Sequence, residues 1–187
     1  MIIVYIKNMV CNRCILVVKQ KLEKLNLVAN TIVLGELQLK KEPSVKQFLQ
    51  LKQNLIALGF EVLDDSKKQL IEKIKNIIVE QIHYQPIDDK HNFSEILSKK
   101  LHKDYSHLSG LFSEVQGITI EKYIINQKIE KAKELIAYDE MNFNEIAYQL
   151  GYSSSAHLSA QFKKITGLTP THFKKAGNKR RKSIDKI

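Results

Sequence analysis

Two cysteines, Cys11 and Cys14, are the only ones in this 187-residue chain, and they stand together in Asn8-Met-Val-Cys-Asn-Arg-Cys. At this spacing, where a helix begins, both sulfurs can be aimed at one point. The helix N-terminus and the neighbouring Arg13 favour the thiolate. One pair excludes a disulfide framework and leaves metal binding, a redox couple, or two thiols that bind nothing. Two soft ligands suit Cu(I) or another soft metal ion, whereas Zn(II) would need further ligands that the sequence does not locate. A second group of interest is short and polar. His107-Leu108-Ser109 recurs 50 residues later as His157-Leu158-Ser159. Catalytic patterns are absent: there is no P-loop, no G-x-G-x-x-G, no H-E-x-x-H and no nucleophile beside a base. Glu95, Glu130 and Glu134 read as exposed helix faces, and no enzyme is expected.

The cysteine pair follows an apolar, β-branched run, Ile2–Lys7, and enters a helix over Cys11–Leu25. Thr31–Leu34 and Glu36–Lys40 read as strands around Gly35. Pro43-Ser44 opens a helix to Leu58, and Phe60–Leu63 is a last short strand. The order β-α-β-β-α-β in about 64 residues is the split βαβ arrangement, a ferredoxin-like α+β domain. Asp64-Asp65-Ser66 closes it. Lys67–His83 then reads as one amphipathic helix, and Tyr84–His91 as a break.

The rest of the chain repeats itself. Residues 92–119 align on residues 142–169 without a gap, with ten identical pairs including Asn92/Asn142, Phe93/Phe143, His107/His157, Leu108/Leu158, Phe112/Phe162 and Thr119/Thr169. Two copies are too few for a solenoid, so this is a duplicated module. In the second copy Ile146, Ala147 and Leu150 line a first helix, Gly151 supplies a left-handed turn, and Leu158, Phe162 and Ile165 bury a second helix. Small residues at the inner face and the turn allow the close crossing of a helix-turn-helix. The first copy has Leu97 and Leu101 at those two places, so its turn is expected to be built differently. Between the copies, Ile120–Tyr138 reads as a single helix of roughly 27 Å. That length suits two recognition helices facing major grooves about 34 Å apart on one duplex.

The net charge of +10 is concentrated at the end, where residues 163–187 carry nine basic side chains and one acidic. Lys179-Arg180-Arg181-Lys182 forms a basic tail, either a phosphate contact or a solvated terminus. No apolar run approaches the roughly 18 residues of a membrane helix. The N-terminus lacks the pattern of a signal peptide. A cytoplasmic protein with no membrane partner is expected.

Glu145-Ile-Ala-Tyr-Gln-Leu-Gly-Tyr, followed by the segment Leu158–Lys174 with Phe162-Lys-Lys, Gly167, Thr169-Pro170 and Phe173, resembles the AraC/XylS family of bacterial transcriptional regulators. The resemblance covers roughly residues 67–176. It implies seven helices, with Lys67–His83 the first and two helix-turn-helix units joined by a central helix. It also implies double-stranded DNA as the partner, contacted by Ser106, His107, Ser109 and Gly110 and by Ser155, Ala156, His157, Ser159 and Ala160. Members of the family often carry Arg, Gln or Trp among these positions. Here small residues prevail, so hydroxyls, the two histidines, thymine methyls or DNA shape would carry specificity. Lys163 and Lys164 would touch phosphate. The Asn8–Cys14 loop and its element order resemble the heavy-metal-associated domain, whose loop reads Gly-Met-x-Cys-x-x-Cys; Asn8 replaces the glycine. That resemblance assigns Cys11 and Cys14 as metal ligands.

The expected architecture is therefore a ferredoxin-like, heavy-metal-associated-like domain at 1–65 and an all-α tandem helix-turn-helix domain at 66–178. The two helix-turn-helix units fall at about 92–117 and 142–167, and the basic tail at 179–187. The expected function is DNA-binding transcription regulation controlled by the metal or thiol state of the N-terminal domain, with RNA polymerase or a sensory protein as a further partner. The alternative is a metal-binding or chaperone-like protein whose helical half docks a protein.

Overall fold

The computed structural model describes residues 2–85, 92–176 and 184, so the expected break is described only in part, and the basic tail, Ile184 apart, lies outside the described residues. The chain forms two compact units, Met1–Asn76 and Ile77–Ile187.

In the N-terminal unit, β1 (Ile2–Lys7), α1 (Asn12–Lys24), β2 (Ala29–Val33), β3 (Glu36–Leu39), α2 (Val45–Ile56) and β4 (Glu61–Leu63) follow in the expected order. The strands make one sheet, β2-β3-β1-β4, with every neighbouring pair antiparallel. Side chains alternate across a strand, so Val4, Ile6, Leu37 and Leu39 share a face and are buried. Their cover is apolar too: Val18 and Leu22 of α1, and Leu51 and Leu55 of α2. Ser44 begins α2 with a capping box, its hydroxyl accepting from the Gln47 backbone N–H while Gln47 returns the bond, a feature worth about 1 kcal/mol.

A further helix, α3 (Ser66–Val79), starts where Asp65 accepts hydrogen bonds from the Lys67 and Lys68 amides. Those bonds hold the Asp65 carboxyl below its usual range. Within the N-terminal unit α3 meets the sheet through polar groups. Lys73 lies 4.6 Å over the Tyr5 ring and pairs with Glu36, and Asn76 donates to the Leu34 carbonyl. Gly35 has a positive φ of 76°, and a Cβ there would stand 2.0 Å from the Asn76 amide nitrogen. The hairpin and the helix can approach this closely only with glycine at that turn. The single helix expected over Lys67–His83 is not observed: the α-helix ends at Val79, and Glu80–Tyr84 continues as a π-helical turn.

In the C-terminal unit, α4 (Phe93–Leu101) and α5 (Tyr105–Gln116) form the first copy of the repeat. The second copy is α7 (Phe143–Gln149) and α8 (Ser155–Thr166); α6 (Ile120–Tyr138) joins the two, and α9 (Pro170–Ala176) follows. The same residues do the same work 50 positions apart. Asn92 and Asn142 cap α4 and α7, and Thr119 and Thr169 accept from the amides of Lys122 and His172. Phe112 packs on Tyr123 with centroids 5.6 Å apart, and Phe162 on Phe173 at 5.4 Å. The structural repeat thus runs four residues beyond the sequence identity, because Tyr123 and Phe173 are different residues filling one role.

Central helix α6 buries Ile120, Tyr123, Ile129, Ala132 and Ile136 along with three polar residues. The Gln127 amide oxygen accepts from His83 Nε2 at 2.9 Å, and its amide nitrogen donates to the Tyr123 hydroxyl. Glu130 is buried and paired with Lys133, and Glu134 is partly covered and paired with Lys131. The expectation that Glu130 and Glu134 lie on exposed faces is corrected: α6 is surrounded by helices, and each carboxylate has a lysine three residues away. Among the described residues no helix is long and apolar enough to cross a membrane.

Candidate nucleic-acid interface

The two second helices of the repeat present their polar residues to solvent. Ser106, His107 and Gly110 of α5 are exposed and Ser109 is half-buried; Ala156, His157 and Ala160 of α8 are exposed and Ser155 and Ser159 half-buried. Buried Leu108 and Phe112, and Leu158 and Phe162, hold the opposite faces in the core. Lys163 and Lys164, at the C-terminal end of α8, are exposed. In the first copy the corresponding positions are Ser113 and Glu114, so only the second helix ends in two cations.

The turns differ as well. Gly151, with a φ of 65°, makes the second turn, and buried Ala147 leaves room for α7 and α8 to cross closely. In the first copy α4 runs longer, to Leu101, with Leu97 buried where Ala147 stands. The left-handed residue there is His102, at a φ of 51°. A non-glycine in this region is strained by its Cβ, which the continuation of α4 imposes.

Each second helix is fastened at its start by different chemistry. In the first copy the Tyr105 hydroxyl donates to Glu121 of α6. This bond holds the Glu121 carboxyl low, and burial together with the bond pushes the Tyr105 phenol up. In the second copy Ser154 caps α8 through the His157 amide, and Ser153 Oγ lies 3.3 Å from His157 Nδ1. Tyr152 meets the His157 ring edge-on at 5.3 Å, donates its hydroxyl to Gln161 Oε1 at 2.7 Å, and has Lys128 of α6 5.3 Å over its ring. Burial pushes the Tyr152 phenol up to about 12 and Lys128 down. Tyr152, Ser153, Gln161 and Lys128 were not among the residues expected from sequence. Their grouping depends on a helix crossing that periodicity cannot show, although Tyr152 and Ser153 lie in the turn beside His157.

Ser155, Ala156 and Ser159 also line a groove of about 960 Å³ shared with Asn142, Thr169 and Lys174. Lys174 pairs with Asp139, the left-handed residue that ends α6. Two first turns and one face of α8 therefore border a single concave surface.

The cysteine loop belongs to the N-terminal unit. Cys11 is the N-cap of α1, and its Sγ lies 3.3 Å from that of Cys14, so the two thiols do converge. Burial and the contact with Cys11 raise the Cys14 thiol, contrary to the expected lowering by the helix terminus. Desolvation of the thiolate outweighs the backbone N–H groups here. Asn8 adopts a φ of 71° and donates to the Gly59 carbonyl, so it supplies the left-handed turn that its glycine counterpart would make. Met9 is fully buried in the core beneath the loop. Among the described residues no group of three or more His, Cys, Asp or Glu side chains could hold a metal. The donor set is two thiols, which fits a two-coordinate soft cation and not a tetrahedral zinc ion.

Residues 97–176 match the helix-turn-helix domain family. No curated protein matches the chain. Among solved structures, the C-terminal domain of the two-component response regulator yesN from Fusobacterium nucleatum is 32% identical, covering 55% of this chain and 95% of its own, with a TM-score of 0.48. The C-terminal domain of AraT, a response regulator from Geobacillus stearothermophilus, is 24% identical over 64% of this chain and 92% of its own, with a TM-score of 0.51. A transcriptional regulator from Chromobacterium violaceum, described as containing an AraC-type DNA-binding domain, is 16% identical over 58% and 96%, with a TM-score of 0.50.

Proposed function

The C-terminal unit has the fold of an AraC-type helix-turn-helix domain, and on that premise we propose that the chain is a sequence-specific, DNA-binding transcriptional regulator. One observation carries this reading. Two copies of one helical module flank the 19-residue α6, and each exposes the polar face of its second helix. Such a pair suits successive major grooves of one duplex, with α6 as the spacer. In this reading Ser106, His107, Ser109 and Gly110 face one half-site, and Ser155, Ala156, His157, Ser159 and Ala160 the other. Lys163 and Lys164 neutralise phosphates and fix register. The basic tail at 179–187 adds phosphate contacts, and the domain spans 66–178. Control of transcription brings RNA polymerase or a sensory protein into contact with the regulator and sets it in the cytoplasm.

The N-terminal residues 1–65 are read as a ferredoxin-like domain of the heavy-metal-associated type, the regulatory input. Cys11 and Cys14 would hold a soft cation such as Cu(I), which supplies a charge and a clamp between the loop and α1. Supporting this are the converging sulfurs and the β-α-β-β-α-β order.

Selection from random duplex DNA tests the function, run on the full chain with and without Cu(I). The expected result is enrichment of a bipartite sequence with affinity that changes on Cu(I) addition. No enrichment overturns the regulator and favours a protein-docking role. Enrichment with an affinity indifferent to Cu(I) removes metal control alone.

A further inference from the structure

His107 and His157 occupy the same place in the repeat, yet the structure treats them differently. His157 is exposed, and its ring is held on two sides: Tyr152 stands edge-on at 84° and 5.3 Å, and Ser153 Oγ lies 3.3 Å from Nδ1. Tyr152 is itself fixed, by its hydroxyl on Gln161, by Lys128 over its ring, and by its amide, which donates to the Ala147 carbonyl. Among the described residues nothing equivalent surrounds His107. Fifty positions before Tyr152, Ser153 and Gln161 stand His102, Lys103 and Leu111, and Leu111 is turned into the core.

With Nδ1 engaged by a hydroxyl that rotates to suit its partner, Nε2 is the ring nitrogen left for a ligand. Both the neutral ring carrying its proton on Nε2 and the protonated ring present a donor there. In the major groove every purine offers N7 as an acceptor. A fixed imidazole selects for such an acceptor better than a mobile one, because less rotamer freedom is lost on contact.

We propose that His157 reads one purine by donating from Nε2 to N7, that Tyr152 and Ser153 are its positioning residues, and that His107 has no such role. This rests on the reading of the C-terminal unit as a DNA-binding domain. It divides specificity unequally between two units of common ancestry.

The test replaces each purine of the selected duplex, one at a time, with its 7-deaza analogue, and measures binding of the full chain by fluorescence anisotropy. At one purine the replacement is expected to weaken the unaltered protein about three- to tenfold, the range of a single hydrogen bond. His157→Ala is expected to bind the two duplexes equally, and His107→Ala to keep the full difference. Tyr152→Leu and Ser153→Ala are expected to shrink the difference while leaving the salt dependence of binding unchanged. Tyr152→Phe, which keeps the ring, serves if the leucine variant melts early. The proposal is overturned if no purine is coupled to His157, or if His107→Ala abolishes the coupling and His157→Ala does not. A selection that yields no duplex overturns the DNA reading and the proposal with it.

Discussion

The two helix-turn-helix units share their caps and their aromatic lock but reach the same shape by different means. The first fills its crossing with Leu97, runs α4 on to Leu101 and turns at His102 in a left-handed conformation. The second keeps Ala147 small and turns at Gly151. On the outward side the contrast reverses. The second helix of the second unit carries a held histidine and ends in Lys163-Lys164; that of the first ends in Ser113-Glu114, and among the described residues its histidine has no comparable clamp. Duplication preserved the caps and the aromatic lock, while the inner crossing, the turn and the cations at the helix end diverged. In this account the second unit supplies more of the phosphate grip and of the reading.

The comparison can be broken first at the inner crossing. Leu97→Ala should destabilise the C-terminal unit by about 2–5 kcal/mol through the cavity it leaves. Ala147→Leu should cost about 1–3 kcal/mol by overpacking, and chemical denaturation of both variants checks the pair. Equal tolerance of both changes would mean that the two crossings are built alike. The turns come next: Gly151→Ala should destabilise by about 1–2 kcal/mol because a Cβ is placed at positive φ, whereas His102→Gly should be neutral or slightly stabilising in thermal melts.

The charge contrast is sharpened by salt. Lys163→Ala and Lys164→Ala should each lower the slope of log affinity against log salt by about 0.9, and Glu114→Gln should not lower it. A smaller effect concerns His83, whose ring is buried against Gln127 with Lys131, Glu130 and Glu134 nearby. Burial foremost holds it below the ordinary histidine range. On acidification the unfolded chain therefore takes up this proton before the folded one does. Stability is full above the unfolded value near pH 6.5 and falls as pH drops towards the folded one. Melting temperatures between pH 7 and 5.5 should show this loss, and His83→Gln should flatten it.

Much of this molecule was legible in its residues. Ile120–Tyr138 was read with its observed ends, because Thr119 caps it and its apolar period is long. The repeat was visible through identities such as Phe112/Phe162, and Gly151 through the demand of a tight turn. What escaped was non-local. The π-helical turn at Glu80–Tyr84 keeps an apolar pattern that looks α-helical, so Ile82 fits either conformation. Glu130 is a carboxylate on a helix with a lysine three residues on, a pattern shared by exposed faces, and only the ring of helices around α6 buries it. Lys128 and Tyr152 are far apart in sequence, and no local signal joins them. The cysteine pair was found by spacing, but the rise in the Cys14 thiol comes from burial against the core and from Cys11 beside it, which composition does not reveal.

Hydroxyl-radical footprinting at one protein per duplex tests the central claim most directly. The account predicts two protected segments on one face, about one helical turn or 34 Å apart, with Gly110→Glu erasing one and Ala160→Glu the other. A single protected segment that survives Gly110→Glu would contradict it.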